Sequence, residues 1–372
     1  MDYSELVRPA VLGQRPYSAG TTVQQAKARY GLDRVIKLSS NENPLGASPR
    51  AMAALAGIDE AHIYVDDDHA ELRTKIGAVH GYSKDHVIIG HGSNDVFATL
   101  FLTLISPGDE IVMADPTFSL FPKFASMFDA KPVRVPLRDG VHDLDAMLAA
   151  VTPKTKMFVV VDPNNPTGTA VDPAAFARVA AALPPQVLLT IDQAYREYMP
   201  AGSLDGMPFV RERAGTIVTR TMSKLYGLAS LRFGYAVADP ELIGYMQRVR
   251  LPFNVSRPAA LAALAALDDH EFVARTLATN AEGKAFLEAA FTRLGLTYYP
   301  TAANFFAVRV PVSATDAYDA LLARGIVVRS GDGLSLPNHL RITIGTPDEN
   351  RLLVHELETL CAVWAQRAPA VV

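Results

Sequence analysis

The sequence predicts an α/β fold with a mainly parallel sheet, followed by a smaller α+β lobe, and three observations carry that reading. Short apolar runs at 87–90, 110–113, 157–161, 187–191, 216–219 and 233–238 have the length and the turn-rich boundaries of buried strands. Between them lie helix-patterned segments at 94–106, 117–128, 172–183 and 240–250, and this alternation is what parallel crossovers produce. Beyond about residue 257 the pattern changes. An Ala-rich helical stretch, 259–267, opens a region of long helices with strand-like NFFAVRV (304–310) and LRITI (340–344).

Several of the apolar runs end in polar residues, and in an open parallel sheet the ligand lies outside the carboxyl ends of the strands. The first, VIIG, enters GHGSND (90–95) ahead of a helix, so the backbone N–H groups of Ser93 and Asn94 are candidates for holding an anion. Either residue would also serve as an ordinary helix cap. VVVDPNNPTGTA (159–170) runs into a turn that projects Asn165, and VLLTIDQAYREY (187–198) ends its apolar run at Asp192 with Tyr195 three residues on.

The chemistry is most explicit in TMSKLYGLASLRFGY (221–235), which places Ser223 and Lys224 ahead of Arg232. Lysine is the residue type that condenses with an aldehyde, while a hydroxyl and a guanidinium suit phosphate oxygens. Together they point to pyridoxal phosphate. Asp192 would then pair with the protonated ring nitrogen, and Asn165 and Tyr195 would hydrogen-bond the ring's phenolic oxygen. Taken singly, Asn before Pro is usually turn chemistry and Asp after a strand is often a cap. The conjunction, in this order, gives the reading its weight.

These segments, together with SSNENPLGASP (39–49), RLPFNV (250–255) and LRITIGTPDEN (340–350), resemble the fold-type-I aminotransferases, and within them the histidinol-phosphate aminotransferases. The resemblance spans about residues 10–360. It implies a fold-type-I pyridoxal-phosphate transferase with a seven-stranded sheet between helices. It further implies an N-terminal arm (1–34) packing with the small domain, a large cofactor domain (35–257) and a small α+β domain (258–372).

The resemblance also adds residues to the site. Phe118, in DPTFSLF, stands where the family stacks an aromatic ring on the pyridine. Tyr64 matches a tyrosine donated across a dimer interface to the cofactor phosphate, implying a homodimer with a shared active site. Tyr17 and Asn43 match residues near the substrate. Arg341 leads into a buried strand, where an arginine is costly unless paired, with an internal acid or with a substrate carboxylate. In the family the matching arginine, with the one at Arg329, contacts the substrate's phosphate or carboxylate. The chain departs from its relatives at Ile63 and Val65, at 19–22, near Arg329, and at Gln193, where glutamate is usual.

The resemblance implies a ping-pong transfer from L-histidinol phosphate to 2-oxoglutarate, with Lys224 as cofactor anchor and general base and with Asp192 and Tyr195 as its catalytic companions. An aromatic amino acid is the alternative donor, and phosphothreonine-type decarboxylases share much of the pattern. No metal is expected. The formal net charge of -4 offers no basic field for nucleic acid. No apolar run approaches the ~20 residues that span a bilayer. The single cysteine, Cys361, excludes an internal disulfide, and no secretory leader is evident, so a cytoplasmic location is expected.

Overall fold

The computed structural model describes residues 1–14, 16 and 20–367. Its strands, in chain order, are β1 (Ile36–Lys37), β2 (Val87–His91), β3 (Glu110–Asp115), β4 (Lys131–Pro136), β5 (Thr155–Val161), β6 (Leu188–Asp192), β7 (Thr216–Thr221), β8 (Phe233–Ala238), β9 (Phe305–Arg309), β10 (Ile326–Val327), β11 (Arg329–Ser330) and β12 (His339–Thr343). The seven strands β2 to β8 form one sheet in the order β2-β8-β7-β6-β5-β3-β4. Strands β7, β6, β5, β3 and β4 pair in parallel; β8 runs against both its neighbours.

The sheet is covered on both faces, which is why its central strands are continuous apolar runs rather than alternating ones. Val87, Ile89, Phe158, Val160, Leu189 and Val218 belong to the core on one face. Ile88, Met157, Val159, Val161 and Ile217 belong to the core on the other. This is the period-two division of a strand. The helix Ser93–Leu104 supplies Phe97 and Phe101 to the second core, and the helix Pro173–Ala182 supplies Phe176 and Val179 to the first. Truncating a fully buried ring such as Phe158 to Ala would cost roughly 3–5 kcal/mol.

The three-stranded antiparallel sheet β11-β12-β9 has its own core with Leu287, Phe291, Leu353 and Trp364 from the helices His270–Arg293 and Pro347–Arg367. Ile36 and Leu38 join that core, and β1 pairs in parallel with β10. The chain stays bonded to the small sheet through Asn41 and reaches the loop that carries Lys224 at Asn43. The Ala-rich helix Arg257–Ala266, by contrast, packs with the large sheet's core through Ala259, Ala262, Ala263 and Ala266. Small residues at i, i+3, i+4 and i+7 form a flat stripe on one helix face, and Ser256 caps the helix by accepting from the Ala259 N–H.

One strand of the large sheet is absent from the sequence reading, as are the two-residue strands β1, β10 and β11. KPVRVP forms β4 at the sheet edge, where two prolines and two charges are tolerated because one side of the strand has no partner to bond. Among the described residues no helix is long and apolar enough to cross a membrane.

Candidate functional site

The carboxyl ends of β2, β3, β5, β6 and β7, and the amino end of the inverted β8, bring their following or preceding loops to one cavity of about 330 Å³. Ser93, Asn94, Phe118, Asn165, Asp192, Tyr195, Ser223, Lys224, Arg232, Arg329 and Arg341 all line it. Residues spread over 249 positions of sequence thus meet around a space suited to a small aromatic phosphate.

One end is built for an anion. Ser93 and Asn94 open the helix Ser93–Leu104, so their backbone N–H groups have no intrahelical acceptor. Gly92, the N-cap, has φ 78° and ψ 166°, a conformation essentially reserved for glycine. A Cβ there would strike the Arg232 guanidinium, and one on Gly234 would strike the Ser93 backbone nitrogen. The two glycines therefore let the helix terminus, β8 and Arg232 converge. Arg232 Nη1 donates to the Ala229 carbonyl at 3.1 Å and lies 3.5 Å from Ser223 Oγ, which also accepts from Thr221 Oγ1 at 3.0 Å.

Asp192 ends β6 almost fully buried and accepts from Thr219 Oγ1 at 3.1 Å. Burial pushes its carboxyl up to about 7, against the opposing pull of the Thr219 hydroxyl and the Ala194 backbone N–H. A protonated heterocyclic nitrogen would supply the positive charge that makes ionisation favourable there. Lys224 is partly buried at the cavity wall and donates to the Ser40 carbonyl at 3.0 Å. Burial chiefly, then the positive charges of Arg341, Arg232 and Lys37, press its amine down to about 7, with Glu42 opposing. An amine so placed is substantially neutral, and therefore nucleophilic, at neutral pH.

The polar groups around Lys224 are oriented by one another. Arg341 Nη1 donates to Asn165 Oδ1 at 2.9 Å, leaving the Asn165 Nδ2 hydrogens as what it offers a ligand. Arg341 Nη2 donates to the Ser39 carbonyl at 2.6 Å. Tyr195 packs edge-on against Phe305 with centroids 5.2 Å apart, and Lys224 Nζ stands 5.7 Å from its ring centroid. Its hydroxyl oxygen accepts from Asn41 Nδ2 at 2.9 Å. Arg329 on β11 and Arg341 on β12 are direct cross-strand partners. Both arginines line this cavity and a wider cleft of about 1240 Å³ that adjoins it and shares Phe118 and Asn165.

Other expected residues lie elsewhere. Asn43 is not among the residues lining the cavity. Its Nδ2 donates to the Leu225 carbonyl at 2.7 Å and to Thr276 Oγ1 at 3.2 Å, and its Oδ1 accepts from Leu45 N, so it ties this segment to the loop carrying Lys224. Tyr64 is 78 % exposed and stacks on Phe253 at 4.5 Å, outside this chain's own cavity. Tyr17 lies outside the described residues. Gln193 is buried, with Oε1 accepting from Arg220 Nη2 at 3.1 Å and from Gly206 N at 3.0 Å. Sequence reasoning missed Asn41, Thr219 and the carbonyls of Ser39 and Ser40. The polar run SSNEN immediately after an apolar segment was the available signal.

A phosphate cradle, a depressed lysine and a buried carboxylate at the mouths of parallel strands define a pyridoxal-phosphate-dependent enzyme of fold type I. Residues 33–357 match the family model for aminotransferase class I and II. The chain belongs to that family. It is 42% identical over 358 residues to a histidinol-phosphate aminotransferase of Moorella thermoacetica, covering 95% of this chain and 93% of that protein. It is 40% identical over 353 residues to one of Symbiobacterium thermophilum, covering 95% and 98%. The structure of histidinol-phosphate aminotransferase from Sinorhizobium meliloti in complex with pyridoxal-5'-phosphate is similar in fold, with a TM-score of 0.86 over 96% of this chain and 98% of that one, at 24% identity.

Proposed function

We propose that this aminotransferase moves the amino group of L-histidinol phosphate to 2-oxoglutarate, forming imidazole acetol phosphate and L-glutamate in histidine biosynthesis. The observation that carries the reading is the pair Arg329 and Arg341, facing each other across β11 and β12 where the cavity meets the wide cleft. Both substrates of the cycle are anionic, one through a phosphate and the other through carboxylates, and planar guanidinium groups accept either. The names carried by relatives at about 40% identity support the same substrate.

When bound, pyridoxal phosphate supplies an aldehyde for the amino group and an electron-poor ring to receive the electron pair released at Cα. The chain's own residues do the rest. Ser93 and Asn94 N–H, Ser223 and Arg232 hold the phosphate, joined by Tyr64 from a partner in a homodimer. Phe118 packs on the ring. Asp192 stays ionised against the ring nitrogen, and Asn165 and Tyr195 donate to its phenolic oxygen. Lys224 would take the donor's Cα proton and deliver it across the intervening nitrogen to the carbon of the cofactor's former aldehyde, and Arg341 and Arg329 would align donor and acceptor. Asn43 contributes by holding the Lys224 loop. The lobes correspond to an arm at 1–34, a cofactor domain from 35 that takes in the Ala-rich helix Arg257–Ala266, and a small domain beyond that helix, and the enzyme works in the cytoplasm.

The test is a half-reaction. The pyridoxal-phosphate form is mixed with L-histidinol phosphate, or with L-phenylalanine, without acceptor, and the cofactor spectrum is followed. Rapid conversion by histidinol phosphate is the expected result. Conversion by phenylalanine alone would instead make the chain an aromatic aminotransferase.

A further inference from the structure

We infer that Asn41 is a positioning residue that directs the hydroxyl proton of Tyr195 into the cofactor cavity. The inference rests on the aminotransferase reading above and adds a residue to it. Asn41 is 1% exposed and sits at φ 54°, a left-handed conformation that asparagine tolerates better than most non-glycine residues and that its surroundings hold here. Four hydrogen bonds do so. Its backbone N–H donates to Thr343 Oγ1 at 2.9 Å, its carbonyl accepts from Asn304 Nδ2 at 3.1 Å, its Oδ1 accepts from Thr343 Oγ1 at 3.2 Å, and its Nδ2 donates to the Tyr195 hydroxyl at 2.9 Å.

The direction of the last bond follows from the others. The Thr343 hydroxyl oxygen already accepts the Asn41 N–H, and among the described residues its hydrogen has one acceptor, Asn41 Oδ1. That places the amide oxygen toward Thr343 and the NH₂ toward Tyr195. A phenol that accepts from an amide must send its own hydrogen elsewhere. Asn41 and Tyr195 both line the cavity. Accepting a hydrogen bond also polarises the O–H bond, which makes Tyr195 a stronger donor to the cofactor's phenolic oxygen. Thr343 lies on β12 and Asn304 just before β9, so the small sheet sets the aim of a side chain rooted after β6.

The experiment is a pH titration of the visible band of the holoenzyme in Asn41→Gly, Asn41→Asp and Tyr195→Phe, alone and combined. Glycine keeps the positive φ while removing the amide; aspartate keeps the shape and replaces the donor by an acceptor. A weaker Tyr195 donor stabilises the deprotonated cofactor less, so the midpoint should rise by about half a pH unit or more in Asn41→Gly, and further in Asn41→Asp. With Tyr195→Phe in place, the Asn41→Gly shift should vanish and the Asn41→Asp shift should fall by at least half. An unmoved midpoint in both single variants, or equal shifts with and without the Tyr195 hydroxyl, would overturn the inference. A parent protein that shows no visible band with pyridoxal phosphate would overturn the aminotransferase reading itself, and the inference with it.

Discussion

Gly92→Ala separates backbone strain from cofactor binding in a single substitution. At φ 78° and ψ 166° the position is essentially glycine-only, so alanine should cost about 1–3 kcal/mol of folding stability wherever the backbone holds its course. The same Cβ collides with the Arg232 guanidinium, which must swing away from the space in front of Ser93 and Asn94. Losing one hydrogen bond to a charged group costs about 1.5–3 kcal/mol. In affinity that is roughly a 10- to 150-fold rise in the dissociation constant for pyridoxal phosphate. Denaturant unfolding of the apoprotein reads the first quantity, and equilibrium dialysis of apoprotein against pyridoxal phosphate reads the second. In an Arg232→Gln background the substitution should retain its folding cost and lose most of its effect on affinity. A folded Gly92→Ala protein that binds the cofactor within about twofold of the parent would refute the convergence argument.

Further outcomes follow from the charged groups of the same site. Lys224→Ala should abolish both the visible band and turnover, as absorbance and single-turnover kinetics would report. Because the Lys224 amine is pressed down to about 7, the rate of cofactor capture by apoprotein should rise with pH around a midpoint near 7, measured by stopped flow, and not near the ordinary lysine value of 10.5. Between those two pH values the unfolded chain holds a proton that the folded one has released, so this lysine makes the apoprotein more stable as pH rises through the window, and its full cost is present below it. Asp192 has the opposite sign: its folded value near 7 exceeds the ordinary 3.8, so apoprotein stability falls as pH rises between them. Asp192→Asn should therefore raise the apoprotein melting temperature at pH 8 while cutting turnover at least about 100-fold, and a variant that lost both would contradict the role given to burial.

How much of this was legible in the sequence depends on whether a residue acts along its own strand or across the fold. Ser93, Asn165, Asp192 and Lys224 each follow an apolar run by a few residues, and in a parallel sheet position along the chain already specifies which end of the layer a residue reaches. The edge strand β4 escaped because Pro132, Pro136, Lys131 and Arg134 mask its pattern, and an edge imposes no burial on both faces to restore it. Asn43 and Asn41 mark the limit more sharply. Both sit in one polar run, two residues apart, yet one amide is committed to Leu225 and Thr276 while the other reaches Tyr195. No periodicity separates them, because the run is neither helix nor strand. What separates them is the positive φ at Asn41, imposed by Thr343 and Asn304 from residues some 260 to 300 positions later. The chemistry of this site is thus written locally in its charged residues, whereas the aim of its neutral donors is decided by where the small sheet docks.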